Sequence, residues 1–118
     1  MILLVDVDID GHSFSSMLIN SATYPEWLQT GQLVTLVFKE TEVSLAKNLS
    51  GLISMRNHIK CSVRQIERGE LLSKISLQFQ KYKIISAITT RSVDMLKLQP
   101  GDEVEALVKA NEVSLMKN

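Results

Sequence analysis

Few side chains in this sequence have the types and spacing to do chemistry. Ser54, Arg56, Asn57 and His58 form one polar cluster, and Lys39 and Lys109 stand at matching places in two similar stretches. Hydroxyl, guanidinium, amide and ammonium groups are hydrogen-bond donors, which suits them to hold something rich in acceptors. Each also has a plain structural use. Arg56 can be a surface arginine after a turn, Ser54 a turn cap, and Lys109 a solvated lysine. His12 and His58 have no Cys, Asp or Glu at ligand spacing, so no metal site is expected. Cys61 alternates with Ile59 and Val63, which predicts a buried small hydrophobe rather than a nucleophile. Asp6, Asp8 and Asp10 share one face of a strand and read as a solvated or dimer-facing surface. No acid–base pair or activated nucleophile can be assembled, so the chain reads as a non-enzyme.

The element that must position these groups is an internal repeat. Sliding the sequence by 70 positions, without a gap, lays Ser16 on Ser86, Leu28 on Leu98, Gly31 on Gly101 and Val34 on Val104. Lys39 falls on Lys109, and Glu42, Val43, Ser44 and Leu45 fall on Glu112, Val113, Ser114 and Leu115. One register held this long marks a duplicated unit. Residues 1–48 read as an incomplete first repeat and residues 49–118 as a complete second one.

A chain of 118 residues makes one ordinary domain or two very small ones. Units this small need each other or a second chain, so an oligomer, most simply a dimer, is expected. Thirteen bases cancel thirteen acids, which argues against broad nucleic-acid or membrane binding. The cancellation hides an asymmetry: residues 1–48 carry six acids against Lys39 and Lys47, and the remainder is basic by the same margin. Either the halves pack together or the basic half serves a small anion. A single cysteine and the lack of a long apolar stretch suit a cytoplasmic protein without membrane insertion.

Alternation predicts strands over residues 2–9 and 12–19 around the Asp10-Gly11 turn. Residues 20–28 are polar, with Pro25 placed to open a short helical turn. Strands are expected over residues 33–38 and 42–46. In the second copy they are expected around Ile59, Cys61 and Val63, around Ile75, Leu77 and Phe79, and over residues 83–89. A helix over residues 92–98, capped by Ser92, precedes the Pro100-Gly101 turn and closing strands through Val104 and Val113. Short strands and little helix predict an all-β chain of tandem small OB-like barrels, the first copy lacking its opening strand. Such a copy leaves an open edge, so either a strand is shared between units or residues ahead of Met1 are missing.

With these pieces in hand the sequence resembles the molybdate-binding Mop or TOBE domains. These stand alone as molbindins or end molybdate-responsive regulators and the ATPase subunits of molybdate importers. The family's SARNQ-like opening appears as Ser54, Met55, Arg56, Asn57, His58, and its Ala-Ile-Thr segment as Ala87, Ile88, Thr89. Its helix and turn appear across residues 91–101, and its closing run as Ala106, Leu107, Val108, Lys109, Ala110, Asn111, Glu112, Val113, Ser114, Leu115. The resemblance implies a site between barrels for molybdate or tungstate, with no cofactor. Its implied residues are Ser54, Arg56, Asn57, Thr89, Lys109, Ala110 and Asn111, with Lys39 as a first-copy contribution. The first copy departs from the pattern, having Ile19 at the Thr89 register and no Ser-Arg opening. The implied partners are an ABC-transporter ATPase or a DNA-binding regulator, by fusion or association. No phosphate-binding loop or helix-turn-helix lies in this sequence itself.

Two readings compete with oxyanion binding. A nucleic-acid-binding OB module would want exposed aromatics on a basic face, yet Phe14, Phe38 and Phe79 sit in apolar strands. A structural dimerisation module that has lost its ligand would fit the imperfect first copy.

Overall fold

The computed structural model describes residues 2–19 and 24–118. β1 (Ile2–Ile9) and β2 (His12–Ile19) form the expected hairpin, in register from Ile2 opposite Ile19 to Ile9 opposite His12. Asp10 and Gly11 take positive φ (48° and 90°), as a two-residue turn matching strand twist requires. Residues 20–23, the start of the polar stretch, lie outside the described residues. After them, Leu28 N–H donates to the Pro25 carbonyl at 3.0 Å, a turn rather than a helix.

β3 (Val34–Val37) leads into a 3-10 turn, Glu40–Glu42, and then β4 (Ser44–Ala46). The long β5 (Asn57–Glu67) begins the second half, followed by the hairpin of β6 (Leu72–Phe79) and β7 (Tyr82–Thr89). α1 (Thr90–Leu96), β8 (Glu103–Val108), a second 3-10 turn at Ala110–Glu112 and β9 (Ser114–Lys117) complete the chain.

The helix starts two residues earlier than Ser92 predicts. Thr89 is the cap, its hydroxyl accepting the Ser92 N–H at 3.1 Å. Lys97 ends the helix in the left-handed region (φ 51°). There Lys47 reaches across from the first half, donating to the Leu96 and Lys97 carbonyls at 3.2 and 3.1 Å and to Asp102 at 3.1 Å.

The chain is predominantly β, but the predicted barrels are absent because, among the described residues, no sheet closes on itself. One open sheet has the order β4-β8-β5-β6-β7, and two two-stranded sheets pair β1 with β2 and β3 with β9. Strand number and spacing predicted closure; it fails because each half's last strand leaves its own half. β4 pairs with β8, Leu45 opposite Ala106, while β9 pairs with β3, Leu36 opposite Leu115. Those two register pairs are images of each other under the 70-residue shift.

The core joins these exchanged pieces: Val63, Ile75 and Leu77 from β5 and β6, Val93 from α1, Val104 from β8, and Val43 and Val113 beyond the two 3-10 turns. Two buried hydroxyls bind the halves together. Ser86 donates to the Val43 carbonyl and Ser16 to the Val113 carbonyl, both at 2.6 Å. Both serines are 0% exposed, so each satisfies a carbonyl that would otherwise be unpaired away from water.

Candidate oxyanion site

Asn57 opens β5 and is 1% exposed. Its side-chain oxygen accepts the Ser15 N–H and its amide nitrogen donates to the Ser15 carbonyl, both at 2.7 Å. The amide thus imitates a strand neighbour and clamps the start of β5 onto β2. The side-chain oxygen and one amide N–H are thereby engaged within the protein, which fixes the start of β5.

Asn57 stands opposite Val108 in the β5–β8 ladder, so in an antiparallel pair Arg56 and Lys109 follow on the same end. Both are exposed, and among the described residues neither lies within ion-pair distance of a carboxylate. Ser54 precedes them, also exposed. Lys109 leads directly into the second 3-10 turn, which packs against β2. The first N–H groups of such a turn have no acceptor within it. Arg56 and Lys109 therefore lie just beyond the end where β5 begins and β8 ends, with Ala110 and Asn111 following Lys109 into the turn.

Thr89 is not in that group. It ends β7, paired with Leu72, and its hydroxyl is bonded to Ser92 Oγ at 2.8 Å as well as to the Ser92 N–H. β7 packs against the first 3-10 turn, the one that Lys39 leads into. Thr89 therefore lies on the hairpin against which the Lys39 turn packs, whereas the Lys109 turn packs against β2. The reciprocal exchange explains it: each half's 3-10 turn sits on the other half's hairpin. At the Arg56–Lys109 end the Thr89 register is filled by Ile19, 48% exposed.

Acidity enters through residues the sequence reading passed over. The Glu112 carboxyl is raised above its ordinary value, first because the Glu42 carboxylate is hydrogen-bonded to it, then by desolvation. Lys109 offsets this only in part. Glu42 and Glu112 are equivalent under the shift, so the two 3-10 turns meet through a carboxyl pair beside Lys109. Their recurrence in the repeat, like that of Ser16 and Ser86, was the signal available. His58 Nδ1 lies 3.0 Å from a Glu105 carboxylate oxygen, on the outer side of the sheet. Cys61 is buried as expected, and desolvation raises its thiol to about 11.

Two exposed cations, Arg56 and Lys109, thus follow the last pair of the β5–β8 ladder beside a clamped strand start. A family model for the TOBE domain matches residues 53–115, and the chain belongs to that family. It is 35% identical over 111 residues to the molybdenum import ATP-binding protein ModC of Brucella abortus (strain 2308), covering 93% of this chain and 29% of the relative. The same figures hold for the protein of that name from Brucella suis biovar 1 (strain 1330). The chain therefore spans less than a third of the length of these curated relatives. Among solved structures it is similar to the cytoplasmic molybdate-binding protein ModG with molybdate bound, at a TM-score of 0.92 and 28% identity. That match covers 99% of this chain and 85% of ModG. A molybdate-binding protein from Sporomusa ovata matches 57% of this chain over its entire length, at 40% identity and a TM-score of 0.56.

Proposed function

We propose that this chain binds molybdate or tungstate without catalysing a reaction, as a transport-associated, regulatory or storage module in the cytoplasm. The observation that carries the reading is that Arg56 and Lys109 both follow directly from the Asn57–Val108 pair at the clamped start of β5. A tetrahedral dianion has only acceptor oxygens, so it needs compensating positive charge and donors from several sides. Arg56 supplies a rigid fork of N–H groups, Lys109 a point charge, Ser54 a hydroxyl and Asn111 an amide. Backbone N–H groups at Ala110 can complete the cage. The molybdate-binding relatives support the identity of the anion.

The division of the predicted set supports an oligomer, most simply a dimer. One end has Arg56 and Lys109 with Ile19 at the threonine register. The other has Thr89 and Lys39 without a Ser-Arg opening, and a second chain could supply what each lacks. Residues 1–48 and 49–118 are read as two interlocked repeats, supported by the identical register of β1–β2 and β6–β7 under the shift. The ModC relatives support association with an import ATPase; a DNA-binding regulator is the other candidate parent. Ile19 favours one rival, a structural dimerisation module that has lost its ligand.

Calorimetric titration of ligand-stripped protein with molybdate, tungstate and sulfate decides between them. Saturable binding of the first two, weakened about tenfold or more by Arg56→Ala and by Lys109→Ala with the fold retained, is expected. Silence with all three anions from a folded protein would establish the structural reading, and unchanged affinity in both variants would remove the site assignment.

A further inference from the structure

The duplication supplies an internal control for surface charge. Under the 70-residue shift Ser76, Gln78 and Gln80 fall on Asp6, Asp8 and Asp10, while Lys81 and Lys83 fall on Gly11 and Ser13. The two hairpins keep the same pairing, Gln78 opposite Lys83 and Asp8 opposite Ser13. The fold therefore demands neither the acids of one hairpin nor the cations of the other. We propose that the cations beside the β6–β7 turn, with Arg64 of β5, form a second anion site away from the Arg56–Lys109 end. Its ligand is a polyphosphate chain, the group shared by inorganic triphosphate and the nucleoside triphosphates.

A hollow of about 280 Å³ lies over β5, β6 and β7, and its lining includes Arg64, Lys81 and Lys83 but no carboxylate. None of the candidate oxyanion residues lines it. The β5–β6 pairing steps from Val63 opposite Leu77 to Gln65 opposite Ser76, which leaves Arg64 as the extra residue of a bulge. Such a bulge re-aims a side chain. The loop before β8 braces it: Val63 N–H donates to the Asp102 carbonyl at 2.8 Å, and Gly101 N–H donates to the Val63 carbonyl at 2.7 Å. Arg64 is then held by a second bracket. Its Nε donates to Gln78 Oε1 at 2.9 Å, and Gln78 Nε2 donates to the Gln80 carbonyl at 2.9 Å. Fixing Nε in this way leaves the two terminal nitrogens of the guanidinium for a ligand. Lys83 stands across the ladder from Gln78. Among the described residues neither Arg64 nor Lys83 lies within ion-pair distance of a carboxylate.

Charge and size select the ligand. Cations gathered around a concave surface focus their field on an anion. A guanidinium grips phosphate oxygens in pairs, while an ammonium acts as a point charge. The hollow is close to the lower bound of the ~300–1,000 Å³ range of small-molecule pockets, which suits a linked chain of phosphates better than one tetrahedral anion. Gln65 and Ser76, facing each other across the β5–β6 ladder, add neutral donors to the lining. Tyr82 closes one side, with Lys81 Nζ 5.5 Å from its ring centroid. Asp10 ties both of them down outside the hollow, accepting from the Tyr82 hydroxyl at 3.1 Å and lying 3.9 Å from Lys81 Nζ. Lys81 is thus shared with a carboxylate, and Arg64 and Lys83 carry the attraction.

The probe is inorganic triphosphate, titrated calorimetrically into the intact protein without divalent cations, with and without excess molybdate. One triphosphate should bind per chain in both conditions, and amide shifts in NMR should centre on residues 64–65 and 76–83. Arg64→Gln and Lys83→Gln, checked for unchanged melting curves, should each weaken binding about tenfold or more. Arg64→Lys should also weaken it, because it keeps the charge and loses the fork, whereas Lys60→Gln, outside the hollow on the same strand, should leave it unchanged. Adenosine triphosphate that binds as the inorganic chain does would show that the phosphates alone are read; tighter binding, lost in Tyr82→Ala, would place the nucleoside beside that ring. Both results support the site. No binding would overturn the proposal, as would displacement by molybdate or loss in Arg56→Ala, which would return the anion to the first site. Full affinity in Arg64→Lys, or equal binding of a glutamate oligomer, would reduce the cluster to a diffuse charged face and overturn it as well.

Discussion

Asn57→Ala tests whether the residue before the candidate site is a ligand or a clamp. The substitution removes two buried hydrogen bonds of 2.7 Å and leaves both Ser15 backbone groups without a partner. Ser15 is itself 2% exposed, so water cannot replace the amide. Each orphaned group costs about 1–3 kcal/mol, so the variant should lose roughly 2–6 kcal/mol, a large share of the ~5–15 kcal/mol holding a small domain. For a chain of this length that lowers the melting temperature by about 10 °C or more. Urea unfolding followed by tryptophan fluorescence should show a lower midpoint with an unchanged slope. Oxyanion binding, measured well below the melting point, should weaken only because Arg56 and Lys109 lose their fixed spacing. A variant that melts within a degree or two of the parent yet binds no oxyanion would refute the argument and make the amide a ligand.

Ser16→Ala and Ser86→Ala each strand a buried carbonyl across the exchanged halves and should each cost about 1–3 kcal/mol. Additivity in the double variant would show two independent latches, and a loss under about 0.5 kcal/mol for both would mean they hold nothing. The raised Glu112 carboxyl means the folded state keeps a proton that the unfolded chain gives up. Stability should therefore fall as pH rises from the ordinary value through the folded one. Glu112→Gln should then melt higher than the parent at neutral pH and bind the oxyanion more tightly, with the difference vanishing in acid; a constant difference across pH would refute the pairing with Glu42. Lys47→Met should lower the melting temperature by releasing the end of α1 and Asp102, and hydrogen exchange should quicken there first. The Asp102 carboxyl is held below its ordinary value by the Gln99 N–H and then by Lys47. Its contribution is present above the ordinary carboxylate range and is lost as pH falls through the folded value, so parent and variant should converge in strong acid.

What could be read from the sequence was whatever a short stretch determines by itself. Period-two alternation and Asp10-Gly11 place β1 and β2 to the residue, because a half-buried strand and a turn needing positive φ leave local marks. The helix was displaced by two residues because Thr89 and Ser92 both carry capping hydroxyls. Nothing local says that Thr89 does the capping, or that a lysine ends the helix in the left-handed region. The resemblance names Arg56, Lys109 and Thr89 as one set, while within one chain Thr89 lies on the hairpin that carries the other turn, since a motif gives order along a chain and not which copy's strand lies alongside.

That last gap has a physical origin. Val34 and Val104, or Leu45 and Leu115, offer almost the same edge to a pairing strand, so pairing within a half and pairing between halves differ little in local energy. The choice falls to contacts formed only in the exchanged arrangement: Ser16 with Val113, Ser86 with Val43, and Lys47 with the end of α1. Each joins residues more than 40 positions apart, beyond the reach of any periodicity. The same exchange sets the chemistry, because it carries Lys109 onto β2 and Lys39 onto β7. On the proposed reading, divergence of one hairpin, as at Ile19, alters the site built with the other half's lysine, and a duplicated module linked in this way can lose or retune one anion site while keeping every strand pair that holds the other.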